Sequence, residues 1–207
     1  MKFTKLLTIY AVVFVLIFSF LNSRFILANF EFWLLTGSSK PNISLLPSST
    51  PVPSQTRTHP LPDKAQLVID KLGVSAPIVF GVSNKSTDIY NNLEKGVVHY
   101  SDTPKPGANG VSIILGHSSA YPWYKGSYGA VFALLGKLSP GDKFYIRYED
   151  GQTFTFVIKQ AVVFTPFRED ERLIGIEKNS KTSLVLISCW PVGTNYKRIA
   201  IEAELTP

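Results

Sequence analysis

The sequence predicts a mainly β domain at residues 63–207, folded as a closed or nearly closed barrel. Short β-rich runs separated by turn residues follow one another closely there, without the strand-helix alternation that a parallel α/β sheet requires. The composition agrees, because 207 residues with 45% hydrophobic and 17% charged side chains exclude a coiled coil, a disulfide-stapled miniprotein and a largely disordered chain. The predicted strands are 65–69, 77–80, 97–100, 111–115, 143–148, 153–159, 161–164, 183–188 and 198–205.

An apolar segment precedes this domain. Lys2 and Lys5 are followed by uncharged residues from 6 to 23, and a helix from Phe3 to Leu21 would be roughly 28 Å long, close to the hydrocarbon thickness of a bilayer. The basic flank predicts an N-terminus inside the cell and a chain that lies outside after residue 24. We therefore expect a single-pass protein of the cell membrane with an extracytoplasmic domain, anchored by residues 1–35. A cleaved signal peptide is the alternative, and it too exports the domain.

A linker joins the anchor to the domain. Residues 36–62 are rich in Pro, Ser and Thr, a composition typical of an extended, semi-rigid spacer. Of the net charge of +6, much lies in the anchor and the linker, so the domain itself is nearly balanced. A nucleic acid is therefore not predicted as a partner, because binding it would require basic side chains gathered on one face.

Turn and helix patterns complete the predicted domain. Residues 149–151 read Glu-Asp-Gly and predict a hairpin turn between two alternating strands. Short helices are predicted at 87–93 and 128–135. An aromatic tract at 118–129 either packs against the domain or covers a groove.

Cys189 is the single cysteine, so an exported domain cannot use it for an internal disulfide. It follows the apolar run 183–188 and precedes a turn-rich loop, which places it at a strand end, where nucleophiles are often found. A thiol attacks carbonyl carbon as the thiolate and needs a neighbour that stabilises that form. The alternative is a small buried hydrophobic residue with no chemical role.

Two histidines of the domain are candidate partners for the thiol. His117 comes just after the apolar run 111–115, at the start of a loop, and it is the predicted partner of Cys189. His99 lies inside a predicted strand, and we expect a structural role with a local hydrogen bond.

A cationic side chain is the third candidate. Arg198 opens the strand after the cysteine loop, and antiparallel pairing would return it to the same end of the sheet as Cys189. There it could stabilise the oxyanion that forms when a carbonyl is attacked. Lys197 would point to the opposite face of the strand, so only one of the two can face the thiol.

These residues resemble the catalytic set of the sortases. The resemblance is carried by His117 in IILGHSS and by Cys189 and Arg198 in LVLISCWPVGTNYKR, and it extends to the tract GVVHYSDTPKPGANGVSIILGH. The sortase signature Thr-Leu-x-Thr-Cys is similar to residues 185–189, which read Val-Leu-Ile-Ser-Cys. By the resemblance, Ser188 keeps the hydroxyl before the cysteine and would position the substrate carbonyl.

The resemblance implies a closed eight-stranded β-barrel and a cysteine transpeptidase. Cys189 would attack a sorting signal at the C-terminus of an exported protein, His117 would act as acid and base, and Arg198 would hold the substrate and its oxyanion. An amine acceptor, from a cell-wall precursor or a pilin lysine, would resolve the thioester. No cofactor is implied, and a calcium requirement stays open. The loop 165–182 would border the peptide groove.

Two other functions remain open at this point. An L,D-transpeptidase also uses cysteine and histidine on β structure, although its pattern has Gly directly before the cysteine, where Ser188 stands here. A tethered surface module that only binds would make Cys189 incidental. The acidic run at 169–171 could bind a cation but more often faces water, and no metal ligand is assigned.

Overall fold

The computed structural model describes residues 2–21, 23, 26, 27, 30, 61–120, 124, 126–166 and 181–206. The first helix, α1, covers Lys2–Leu21 and lies within the predicted anchor. Over the described residues, none of the helices has both the length and the apolar content that crossing a membrane takes. Most of the predicted linker and of the loop 165–182 lies outside the described residues.

The domain is a closed barrel of eight strands, which confirms the barrel predicted for residues 63–207; the transmembrane helix before it stays a prediction. The strands are β1 Ala65–Ile69, β2 Val74–Val79, β3 Val97–His99, β4 Val111–Leu115, β5 Lys143–Tyr148, β6 Thr153–Phe164, β7 Ser183–Trp190 and β8 Lys197–Leu205. They follow the order β1-β2-β3-β4-β7-β8-β6-β5 around the barrel, and β1 closes it by pairing with both β2 and β5.

The core fills the inside of the barrel with side chains that alternate along each strand. On β5, Phe144, Ile146 and Tyr148 point inward and are buried, while the residues between them are more exposed. The rings of Phe144 and Phe156 stack at 5.5 Å between their centroids. Alternation along the strand therefore places Lys143, Tyr145 and Arg147 on the outer face of the barrel.

Three strands position the residues singled out by the sequence. β4 pairs with β7 in parallel as far as Leu115 and Ile187, and β7 pairs with β8 in antiparallel register to its last residue. The segment after β4, the end of β7 and the start of β8 therefore meet at one end of the barrel.

Several predicted elements differ from the structure; the strand predicted at 77–80, for example, begins earlier, as β2 Val74–Val79. The runs 153–159 and 161–164 form one strand, β6, whose pairing with β8 shifts between Ile158 and Gln160. A bulge of this kind lets a strand continue with a bend, so a single Gln between apolar runs does not end it.

The helix predicted at 87–93 is present as α2, Ser86–Asn92, whereas the helix predicted at 128–135 is wrong. That stretch consists of turns and ends in a 3-10 helix at Leu135–Lys137. The backbone N–H of Val131 bonds the carbonyl of Tyr128, and the N–H of Phe132 bonds the carbonyl of His117 at 2.9 Å. Contact with the neighbouring segment thus replaces the i to i−4 bond of an α-helix.

Candidate active site

A cavity of about 680 Å³ opens at the end of the barrel where β4, β7 and β8 meet. Its lining includes all three predicted catalytic residues, His117, Cys189 and Arg198. The remaining walls come mainly from α2 and from the loop between β7 and β8. The structure therefore brings together the thiol, the imidazole and the guanidinium that the sequence singled out.

Cys189 is the penultimate residue of β7 and is partly buried. It pairs directly with Arg198 across the β7–β8 ladder, and Trp190 pairs with Lys197. Directly paired residues share a face of the sheet, whereas neighbours along a strand point to opposite faces. Arg198 therefore shares the face of Cys189, and the exposed Lys197 does not.

The guanidinium of Arg198 is held by the backbone beside it. Its Nη1 donates to the carbonyl of Asn195 at 3.1 Å and to that of Lys197 at 2.9 Å. A guanidinium has five N–H donors, so these two bonds leave most of them for a ligand. Arg198 is partly buried, which strengthens its attraction for an oxyanion relative to a fully solvated side chain.

His117 lies two residues beyond the end of β4, and its backbone is fixed on both sides. The N–H of Gly116 bonds the carbonyl of Ile187 at 3.1 Å, and the carbonyl of His117 accepts from Phe132. A Cβ atom at Gly116 would lie 2.4 Å from the Phe132 ring, so only glycine permits this approach. Hydrogen bonds therefore hold the backbone on both sides of the point where the His117 side chain emerges from the barrel.

The imidazole of His117 is partly buried among aromatic side chains. Burial lowers the pKa of His117, and the nearby Glu94 carboxylate opposes that effect. The imidazole is consequently neutral near pH 7, the form that can accept a proton. Tyr90 and Tyr124 contact it edge-on. The sequence pointed to Tyr124 only through the aromatic character of the tract 118–129, and it did not single out Tyr90.

Ser188 is buried at 3% exposure and donates its hydroxyl to the carbonyl of Gly116 at 2.7 Å. The bond ties the end of β7 to the residue before His117. Ser188 also lines the cavity, a position that is compatible with contact to the substrate. Its role in positioning the substrate stays a prediction. A second link, which sequence reasoning missed, joins the two loops of the site, because the N–H of Gly193 donates to Ser119 Oγ at 3.1 Å.

His99 lies away from this cavity, as expected for a structural histidine. Its ring is 5% exposed, its Nε2 lies 3.0 Å from the carbonyl of Pro104, and its ring packs on Phe80. Burial lowers the pKa of His99; the bond to Pro104 opposes the shift and the charge of Lys105 adds to it.

Among the residues that the structure describes, no group of three His, Cys, Asp or Glu side chains could hold a metal ion. The acidic run 169–171 lies outside the described residues.

The barrel domain matches a known protein family. The family model described as "Sortase domain" matches residues 67–206. The chain belongs to the sortase family. Sortases are cysteine transpeptidases, so the thiol, imidazole and guanidinium of this cavity occur in a family whose chemistry needs a cysteine nucleophile.

Individual sortases resemble the domain at moderate identity. Sortase D of Bacillus subtilis (strain 168) is 31% identical over 141 residues, which are 67% of this chain and 61% of that protein. The match thus spans less than two thirds of that relative's length.

Solved sortase structures share the fold. Sortase C-1 of Actinomyces oris matches with a TM-score of 0.56 and 28% identity, covering 69% of this chain and 73% of that one. Sortase C1 of Streptococcus suis gives a TM-score of 0.56 at 25% identity and covers 70% and 74%.

Proposed function

We propose that this protein is a membrane-anchored sortase that cleaves a sorting signal in exported proteins and transfers the acyl fragment to an amine. The observation that carries the proposal is the shared cavity of Cys189, His117 and Arg198, in which the cysteine and the arginine are paired residues of one ladder. Membership of the sortase family supports the same reaction class.

In the first half reaction, the sulfur of Cys189 attacks the carbonyl carbon of the scissile peptide bond. His117 first takes the proton of the Cys189 thiol. A carbon–sulfur bond then forms, the carbon–nitrogen bond breaks, and the imidazolium of His117 gives that proton to the departing amine. The negative charge that develops on the carbonyl oxygen is stabilised by the guanidinium of Arg198. The product is a thioester between the substrate and Cys189.

In the second half reaction, an acceptor amine attacks the carbonyl carbon of the thioester. A carbon–nitrogen bond forms, the carbon–sulfur bond breaks, and His117 takes the proton that the amine loses. The acceptor is an amine of a cell-wall precursor or the side chain of a pilin lysine. The low pKa of His117 favours the neutral imidazole that this step needs.

The proposed location is the outer face of the cell membrane, where exported substrates and the acceptor are found. It is supported by Lys2 and Lys5 before the uncharged residues 6–23 and by the exposed apolar side chains along α1. Alkaline extraction of membranes would retain an anchored chain in the pellet, and release into the supernatant would count against the anchor.

The test of the reaction uses the full chain in detergent micelles. Peptides that carry candidate sorting signals are incubated with it, and intact-mass spectrometry looks for an acyl adduct on Cys189. A free amine such as triglycine or a Lys-containing peptide is then added, with parallel samples in calcium and in EDTA. We expect an adduct that disappears as the transfer product forms, and none with Cys189→Ala.

The outcomes separate the competing functions. An adduct formed only from a peptidoglycan stem peptide would support an L,D-transpeptidase instead. If no adduct forms although the Cys189 thiol still reacts with iodoacetamide, the result would support a surface module that only binds.

A further inference from the structure

Two tyrosine rings contact the imidazole of His117. The ring centroid of Tyr90 lies 5.5 Å from that of His117 with an interplanar angle of 80°, and that of Tyr124 lies 5.4 Å away at 85°. Near-perpendicular contacts at this distance are the favoured edge-to-face geometry of aromatic pairs. They restrict rotation of the smaller ring, because the imidazole cannot turn about its χ2 angle without moving against a tyrosine.

The rings come from different segments and are held in different ways. Tyr90 belongs to α2, lines the cavity and is 47% exposed. Tyr124 is 8% exposed, and its hydroxyl donates to the carbonyl of Leu93 at 2.9 Å, just beyond the end of α2. A Cβ atom at Gly126 would come within 2.6 Å of the Tyr124 hydroxyl, so glycine at this position makes space for the tyrosine side chain.

The two ring contacts matter because, among the described residues, no hydrogen bond orients the imidazole at its Nε2 atom. A catalytic histidine is commonly oriented by a hydrogen bond at the nitrogen that does not react. In His117, Nε2 is buried and, within the described part of the chain, meets no hydrogen-bond partner. Among the described residues, the two tyrosine rings are the aromatic contacts that set the angle of the imidazole.

We propose that Tyr90 and Tyr124 are positioning residues of the sortase reaction, which hold the imidazole of His117 toward the cavity that contains Cys189. The hydroxyl of Tyr124 couples this orientation to α2. Since α2 also lines the cavity, a substrate seated against it contacts the element that aligns the imidazole. This inference rests on the proposed function for its catalytic meaning.

The test uses the full chain in detergent and compares variants that keep or remove each ring. Tyr90→Leu and Tyr124→Leu remove a ring, Tyr90→Phe keeps it, and Tyr124→Phe loses only the bond to Leu93. Tyr145→Leu is the matched control, because Tyr145 is a partly buried tyrosine on β5 that does not line the cavity. Folding is checked by circular dichroism.

Two readouts are measured. The first is the titration of the His117 ring by NMR, with its signal assigned by its loss in His117→Gln; the second is kcat and KM for transfer. Removal of either ring should let water reach the imidazole, so the pKa of His117 should rise toward its ordinary value. Loss of alignment should lower kcat by about tenfold or more, while KM changes by less than about threefold. Tyr90→Phe, which keeps the ring, should recover most of the kcat that Tyr90→Leu loses, and Tyr124→Phe should lie between Tyr124→Leu and the wild type. The control Tyr145→Leu should behave like the wild type.

The proposal is overturned if folded Tyr90→Leu titrates and turns over like the wild type. Should Tyr124→Leu not fold, Tyr90→Leu decides alone, because its ring is half exposed and adds little to the core. Absence of transfer by the wild-type chain would count against the proposed function, whereas the NMR titration would still test the contacts of the two rings.

Discussion

Cys189 and Arg198 are directly opposite each other in the antiparallel ladder of β7 and β8. Their relative position is consequently fixed by backbone hydrogen bonds and not by the conformation of the loop 191–196 between them. Because strand side chains alternate, the same register turns Lys197 away from the thiol. The register therefore selects which of two adjacent cations can stabilise the oxyanion.

Exchanging these two cations for alanine tests the register. Arg198→Ala should lower kcat/KM for peptide transfer by about 100-fold or more, the usual cost of removing an oxyanion donor. Lys197→Ala should stay within about twofold of the wild type, since an exposed charge on the other face contacts neither sulfur nor substrate. Equal losses in steady-state assays would mean that the functional face has been assigned wrongly.

Ser188→Ala should destabilise the barrel and weaken catalysis together. The variant leaves the buried carbonyl of Gly116 without its donor, at a cost of about 1–3 kcal/mol in the free energy of unfolding. Urea unfolding measures this cost. Ser75→Ala, on the exposed face of β2, is the control and should change little. A fall in kcat without any loss of stability would favour direct contact between Ser188 and the substrate.

Stability should decline in mild acid because His99 and His117 both have lowered pKa values in the folded chain, chiefly through burial. Below the ordinary value of 6.5 the unfolded chain binds protons first and is stabilised by them. The loss therefore starts as the pH falls through about 6.5 and levels off once the folded imidazoles are protonated, with a slope of at most about 1.4 kcal/mol per pH unit for each histidine.

Urea midpoints between pH 8 and pH 5 check this pH dependence. His99→Gln and His117→Gln should each flatten the curve. An unchanged slope in both variants would assign the acid sensitivity to other groups.

Lys105 should fix the point where the linker joins the barrel. Its ammonium donates to the carbonyls of Leu61 and Pro62 at 2.6 and 3.1 Å and to the Asp63 carboxylate at 2.7 Å. Lys105→Met keeps the apolar stem but removes these charged bonds, which should cost about 1.5–3 kcal/mol and speed proteolysis before residue 63.

Lys64→Met is the control for this experiment. Its ion pair with Glu149 is 3.4 Å long and well exposed, so its loss should cost at most about 1 kcal/mol. If both variants lose the same free energy of unfolding, Lys105 does not fix the junction of the linker and the barrel.

Much of the fold follows from local sequence patterns, because apolar alternation and turn residues locate each strand. Residues 128–135 show where such patterns fail: the periodicity suits a helix, yet the bond from Phe132 to the carbonyl of His117 is a tertiary contact. Local propensity carries no information about such a partner.

The same distinction between local patterns and tertiary contacts applies to the candidate site. Cys189, His117 and Arg198 were identifiable because each is a reactive residue type at a strand end. Tyr90 and Tyr124 were not identifiable, since their proposed role depends on contact with the His117 ring in the folded structure. The bond from Ser188 to Gly116 likewise depends on the parallel pairing of β4 and β7, which no local pattern encodes.

Closure of the barrel has a consequence for how polypeptides are recognised. Within the described residues every strand has two neighbours, and the pairing of β4 with β7 stops only at Ile187. An incoming peptide could therefore reach free main-chain groups of the sheet only at short strand ends such as Ser188–Trp190. We therefore expect selectivity to come mainly from side-chain contacts around the cavity mouth. Those surface segments could diverge between relatives, and with them the peptide that is read, while the hydrogen-bonded framework stayed the same.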